Sequence, residues 1–261
     1  MMNLNLKKIS QLFGLGMILI TMPIDLAAQS KSKYSYGGSL NLGLGSAVIT
    51  NDAYQQYMDT VQSRTNAVMV KGVHAWFTYS LSQKTDLHLG LGYQEAAYGR
   101  RQENLNFQNY TYPGIGTGSI EDLSNLEKGI QYIYRYSYLQ VPAQLSLNFA
   151  RSGDFQWTYS FVPGGALNVL LNQSMIANLD DGFSIDGENR FVMDSTGFKA
   201  RPLTFNLSAG VRFQNRNEAG EIYFIQPNVI LFPMSVSSKE LTAIPFSINV
   251  QFGMLFNGSR K

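Results

Sequence analysis

The stretch Tyr34-Ser35-Tyr36-Gly37-Gly38-Ser39-Leu40-Asn41-Leu42-Gly43-Leu44-Gly45-Ser46-Ala47-Val48 decides the fold. Its even positions read Tyr34, Tyr36, Gly38, Leu40, Leu42, Leu44, and its odd positions Ser35, Gly37, Ser39, Asn41, Gly43, Gly45. Successive side chains of a strand point to opposite faces, so one face is apolar and the other small and polar. In a soluble sandwich the apolar face packs on a second sheet. In a transmembrane barrel it faces lipid, and the polar face lines the interior.

Seven further segments repeat the pattern at about the ~9–11 residues that a tilted strand needs to cross a bilayer. The second sets Val73, Ala75, Phe77, Tyr79 and Leu81 against Gly72, His74, Trp76, Thr78 and Ser80, and the third Leu87, Leu89, Leu91 and Tyr93 against His88, Gly90, Gly92 and Gln94. The fourth sets Leu139, Val141, Ala143, Leu145, Leu147 and Phe149 against Tyr138, Gln140, Pro142, Gln144, Ser146 and Asn148. In the fifth, Phe155, Trp157, Tyr159, Phe161, Gly165, Leu167 and Val169 oppose Gln156, Thr158, Ser160, Gly164, Ala166 and Asn168. The sixth alternates from Leu203 to Gln214 and the eighth from Phe246 to Phe256. In the seventh, Tyr223, Ile225, Val229 and Leu231 point outward, although Ile222 and Phe224 break the polar face. Pro142, Pro163 and Pro227 fall inside these segments, and because proline cannot donate to a ladder they are expected at bulges or strand ends.

Connections alternate in length. Those near Gln83, Ser152 and Asn217 are short; those over about 51–67, 96–131 and 172–201 are long. Bacterial barrels keep short turns in the periplasm and long loops outside, which puts both termini in the periplasm. Tyr34, Tyr36, Tyr79, Phe149, Phe155, Trp157, Phe213, Tyr223 and Phe256 gather near the short turns, as an interfacial aromatic girdle requires. A sandwich core has no reason to collect aromatics at one end. A soluble lipocalin-like barrel, the competing architecture, would put the apolar residues inside.

The N-terminus reads as a secretory signal: Lys7 and Lys8, an apolar run from Leu12 to Met22, and small residues at Ala27-Ala28. Residues 1–28 are assigned to it and 29–261 to one barrel domain. The apolar run is shorter than the roughly 20 residues of a membrane helix. With no cysteine, disulfides, thiolate metal sites and an N-terminal lipid anchor are excluded. A formal charge of +2 without a basic cluster gives no reason to expect nucleic acid. Aromatic content of 13% with 24 glycines suits strands that pack into a barrel. The fold is therefore expected to be all-β, an eight-stranded antiparallel up-and-down transmembrane β-barrel in the outer membrane.

The segment Tyr136-Ser137-Tyr138-Leu139-Gln140-Val141-Pro142, beside the strand alternation and the Ala28-Gln29 processing site, resembles the PorT-like outer membrane β-barrel family of the Bacteroidetes. In that family a Tyr-Leu-x-Ile/Val-Pro strand recurs. The resemblance implies an eight-stranded barrel and, through the founding member, a link to protein secretion across the outer membrane. Phe256 resembles the terminal aromatic of barrels, but Asn257 to Lys261 trail behind it.

Chemistry is sparse. The only histidines, His74 and His88, share the polar face of adjacent strands. A hairpin closing around Gln83 puts His74 beside Gly92 and His88 beside Thr78, more than ~10 Å apart at ~3.3 Å per residue. Neither can share a metal ion, and neither has the outward parity that a lipid esterase needs. The acidic run Asp180 to Asn189 could offer oxygens to calcium, though its spacing does not match an EF-hand. Tyr110, Tyr112, Tyr132, Tyr134, Tyr136 and Tyr138 would form either an exposed adhesive surface for a partner or glycan, or an outer aromatic belt with strand extensions. No catalytic, cofactor-binding or metal-binding residue is assigned, and no cofactor is expected. The leading reading is a non-enzymatic barrel with a structural or interaction role in the cell envelope. Its expected partners are outer membrane lipid and envelope or secretion proteins met through the long loops. A narrow solute pore is the alternative, and a lipid-modifying enzyme the third reading.

Overall fold

Eight long strands follow one another: β1 (Tyr34–Asp52), β2 (Val68–Ser80), β3 (Thr85–Gln102), β4 (Ile130–Arg151), β5 (Trp157–Leu179), β6 (Leu203–Arg216), β7 (Ile222–Leu231) and β8 (Leu241–Asn257). The computed structural model describes residues 33–52, 63–102, 111–112, 116–117, 129–151, 157–180, 188–193, 200–217, 221–236 and 241–257. The leader expected over 1–28 lies outside them. Each strand pairs antiparallel with its sequence neighbour. The ring closes where β8 returns to β1, with Tyr36 opposite Phe256 and Leu44 opposite Ile248. This is an up-and-down eight-stranded barrel.

Its polarity is inverted relative to a soluble protein. Leu40 and Leu42 are 59% and 51% exposed, whereas Ser39 and Asn41, which alternate with them, are 5% and 2% exposed. The same alternation holds on β2, where Val73 and Phe77 face out and His74, Trp76 and Thr78 face in. A wall of leucine, valine and phenylalanine would be unstable in water, and it is what a lipid-facing wall needs. Ring pairs line the short-turn end, with Tyr34 5.4 Å from Tyr79 and Tyr36 6.0 Å from Phe256. Phe155 lies outside the described residues.

The three prolines do not sit at bulges or strand ends. Pro142 stands opposite Ala166, Pro163 opposite Ala209 and Pro227 opposite Val250, all in unbroken register. On the other side of each the ladder skips two pairs and resumes in the same register, as between Leu89–Ala143 and Gly92–Gln140. A strand residue aims its N–H and C=O at one neighbour only, so each proline forfeits bonding on one side and leaves the other intact. The bulges lie elsewhere: between Ile49 and Asn51, Ser137 and Tyr138, and Asn148 and Ala150.

The loops expected over 96–131 and 172–201 are partly strand. β3 runs on to Gln102, β4 already begins at Ile130, and β5 continues to Leu179. Two short strands widen this region, Ser63–Asn66 beside β3 and Arg190–Met193 beside β5. Alternation fails as a signal here because Ala96, Ala97, Tyr98 and Arg100 are all buried, on both faces. The short connections near Gln83 and Asn217 are as expected, with Leu81 N–H donating to Thr85 O at 2.9 Å and Asn217 and Glu221 joined by two side-chain hydrogen bonds at 2.8 Å. The one near Ser152 lies outside the described residues.

The wall can be tested at Leu207, which is half exposed in the middle of β6. Leu207→Arg should destabilise the barrel by ~2–4 kcal/mol, measured by urea unfolding in lipid vesicles. An unchanged midpoint would place that face away from hydrocarbon.

Candidate functional site

The inward faces build three layers. At the short-turn end, Trp76, Ile222, Phe224 and Leu255 pack as an apolar cluster inside the barrel. The two residues that break the polar alternation of β7 are thus core residues. Gly253 lets Phe224 in, since a Cβ there would collide with the ring. Beside this cluster Arg212 is almost wholly buried, its guanidinium carbon 4.3 Å from the Phe224 ring centre. Its Nε donates to Gln226 Oε1 at 2.7 Å, and Nη1 donates to His88 Nε2 at 2.9 Å. An accepting Nε2 puts the imidazole proton on Nδ1, which donates to Thr78 Oγ1 at 2.7 Å. The ring face and the two polar partners, with Thr78 holding the second, compensate for taking the charge out of water.

The middle layer is a chain of amides. His74 Nε2 donates to Gln140 Oε1 at 2.7 Å, and Gln140 Nε2 donates to Asn168 Oδ1 at 2.9 Å. Asn168 Oδ1 also accepts from Asn206 Nδ2 at 3.3 Å, so the chain crosses from β2 through β4 and β5 to β6. Ser39 Oγ accepts from Trp76 Nε1 and from Gln251 Nε2, both at 2.7 Å, and Asn41 Nδ2 donates to Gln94 Oε1 at 2.8 Å. A cavity of about 20 Å³ lies among Asn41, His74, Gln140, Asn206 and Gln251. That is room for about one water molecule.

The layer toward the long loops is aromatic. Tyr98 stacks on Tyr134 at 4.9 Å and on Tyr136 at 6.3 Å, and Tyr138 lies 6.0 Å from Phe232. Tyr132, Tyr134, Tyr136 and Tyr138 are all buried, because they continue the inward parity of Gln140. They form neither an adhesive surface nor an outer belt, but the strand does extend through them, as the second alternative expected. Parity alone could have shown this. Tyr110 lies outside the described residues, as does the side chain of Tyr112.

Both expected histidine placements hold, with His74 opposite Gly92 and His88 opposite Thr78. The Trp76 ring stands 5.6 Å from one and 6.4 Å from the other. The carboxylate that opens the acidic run is already engaged: Asp180 accepts from Arg101 Nη1 and Nη2 at 2.9 and 2.7 Å and from the Gly129 N–H at 2.8 Å. This clasp joins β3, the start of β4 and the end of β5. Asp181 and Asp186 are outside the described residues, and Glu188 is exposed.

Outside the ring, Glu95 binds Arg135 at 3.2 Å and Lys71 at 3.9 Å, and Tyr93 Oη donates to it at 2.7 Å. Sequence reading missed this cluster and the clasp, because their members stand dozens of residues apart. The outward parity of 71, 95 and 135, just past the apolar positions, is the signal that could have found the cluster.

A closed antiparallel ring with an apolar outer wall and short turns gathered at one end is an outer membrane β-barrel protein. The chain matches no protein-family model, and no curated protein sequence matches it. Solved structures similar to it include Ail, the attachment invasion locus protein of Yersinia pestis (9% identical, TM-score 0.35, 87% of this chain and 100% of that one). OprG of Pseudomonas aeruginosa is another (12% identical, TM-score 0.34, 88% and 98%), as is the outer membrane protease OmpT of Escherichia coli (11% identical, TM-score 0.41, 89% and 99%). Likeness at this level carries no functional argument, and the barrel stands on its own pairing and wall.

Two substitutions test the interior and the clasp. Gln226→Leu strands the Arg212 Nε donor and should cost roughly 2–3 kcal/mol of global stability, read by urea unfolding. Asp180→Asn acts on a partly exposed pair and should cost about 1 kcal/mol or less. Its effect should appear as faster amide exchange at the end of β3, with the unfolding midpoint nearly unchanged.

Proposed function

We propose that this chain is a non-enzymatic outer membrane protein with an interaction role in the cell envelope, whose barrel holds a folded extracellular sheet up to a partner. One observation carries the reading. β3, β4 and β5 are 18, 22 and 23 residues long, about twice the ~9–11 needed to cross the bilayer. Their surplus stays paired, with Ile130 opposite Leu179 at the far end, and the stacked tyrosines and the Arg101–Asp180 clasp hold it together. A chain that only needed an anchor would have no use for this wall. The resemblance of Tyr136 to Pro142 to the PorT-like family favours a partner in protein secretion or assembly.

The interior weighs against a pore: eight strands enclose a space that side chains just fill, and here an apolar cluster and a tyrosine layer close both ends. It also weighs against a histidine-dependent lipid enzyme, since His74 and His88 are buried inside and hydrogen-bonded there.

The test is photocrosslinking in living cells from Val192, which is exposed on the extracellular sheet, and from Arg216 at the opposite end. A discrete set of envelope proteins caught from Val192 is expected. Lipid and abundant bystanders alone from both positions would overturn the reading. In planar bilayers the purified barrel should show no steady conductance, and a reproducible single-channel current would favour the pore instead.

A further inference from the structure

The apolar wall is interrupted at one level on three adjacent strands. Val73 stands opposite Tyr93, and Tyr93 opposite Leu139; the next outward positions are Lys71, Glu95 and Ser137, with the exposed Met69 beyond Lys71. Glu95 opposite Ser137 follows on β3 and β4, and Arg135 opposite Ala97 comes next. Lys71 sits beside them, one residue beyond the Gly72–Gln94 pair. From Leu139 to Phe149 the wall of β4 covers ten steps, or roughly 25 Å of height at ~3.3 Å per residue and a ~40° tilt. That equals the apolar band of an outer membrane barrel, so the charged cluster lies at the level of the outer headgroups.

Two cations there share one carboxylate. Arg135 uses only Nη1, on Glu95 Oε2 at 3.2 Å and on the Met69 carbonyl at 3.3 Å. Its Nη2 and Nε make no hydrogen bond among the described residues. The Lys71 ammonium is exposed and touches Glu95 only at 3.9 Å. Glu95 is nearly buried and also accepts from Tyr93 Oη, so it fixes the cations without neutralising both. An ammonium and the remaining edge of a guanidinium, held side by side, suit an acceptor with several anionic oxygens. The apolar residues directly beneath (Val73, Tyr93, Leu139) require that acceptor to carry acyl chains.

We infer that Lys71, Glu95 and Arg135 form a binding site for the phosphate headgroup of an outer-leaflet lipid, with the acyl chains lying along β2 to β4. The site rests on the orientation of the barrel and not on the interaction role, so it stands or falls separately from the crosslinking from Val192. The test uses the full barrel in phosphatidylcholine vesicles doped with phosphatidic acid, extracted gently and weighed by native mass spectrometry. Wild type should retain phosphatidic acid selectively, and K71A/R135A should lose roughly tenfold to thirtyfold of that selectivity. E95Q removes the internal competitor and should keep or raise it. K71A alone, which leaves the Arg135 contacts in place, and a heat-dependent gel shift for every variant separate lost binding from lost folding. Equal retention by wild type and K71A/R135A would overturn the site, as would loss in E95Q. Displacement of the lipid by inorganic phosphate alone would also overturn it, because the ligand would then be a free anion.

Discussion

Hydrocarbon offers no hydrogen bonds, so every backbone N–H and C=O within the bilayer must find its partner inside the protein. For strands, the only solution is a sheet without edges, and the pairing of β8 with β1 supplies it. Everything else in the molecule is arranged around that seam. Each neighbour pair is antiparallel because the chain crosses and returns with short turns, and alternation then sends one face of every strand to lipid. Even the prolines obey the constraint: Pro142, Pro163 and Pro227 give up bonding on one side only, so no strand loses both neighbours at one point.

Closure creates a second problem. An inward face of amides, hydroxyls and the Arg212 guanidinium has little water to satisfy it, and each unpaired group costs free energy. The chain from His74 through Gln140 and Asn168 to Asn206 answers this across four strands, and Arg212 is met by Gln226, His88 and the Phe224 ring. Apolar and aromatic layers at either end then confine the polar layer. The interior is structural for the same reason that it is full.

The outside surfaces are unequal. The short-turn end is trimmed to tight connections, whereas β3, β4 and β5 carry a sheet well past the membrane on the other side. Stacked tyrosines and a bidentate Arg101–Asp180 pair hold that sheet together where lipid no longer does. At the boundary between the two regimes, Lys71, Glu95 and Arg135 interrupt the apolar outer wall of β2 to β4. A barrel of this kind presents a shaped surface to the medium and a chemical edge to the headgroups.

The segment from Tyr34 to Val48, read alone, already determined the class of fold, because a period of two is a local property that each strand shows by itself. The same period assigned Ile222 and Phe224 to the interior face, and the short turn around Gln83 placed His74 beside Gly92. It could not say how far β3 to β5 extend, since the signal vanishes where both faces are buried, as from Ala96 to Arg100. Nor could it show that the prolines stay in register, which depends on the direction of each N–H toward one neighbour. Local alternation assigned each membrane-crossing residue its side of the wall. Only the closed tertiary structure decided which residues meet across the lumen, because Arg212 and His88 stand 124 residues apart in the chain and are joined by the curvature of the ring alone.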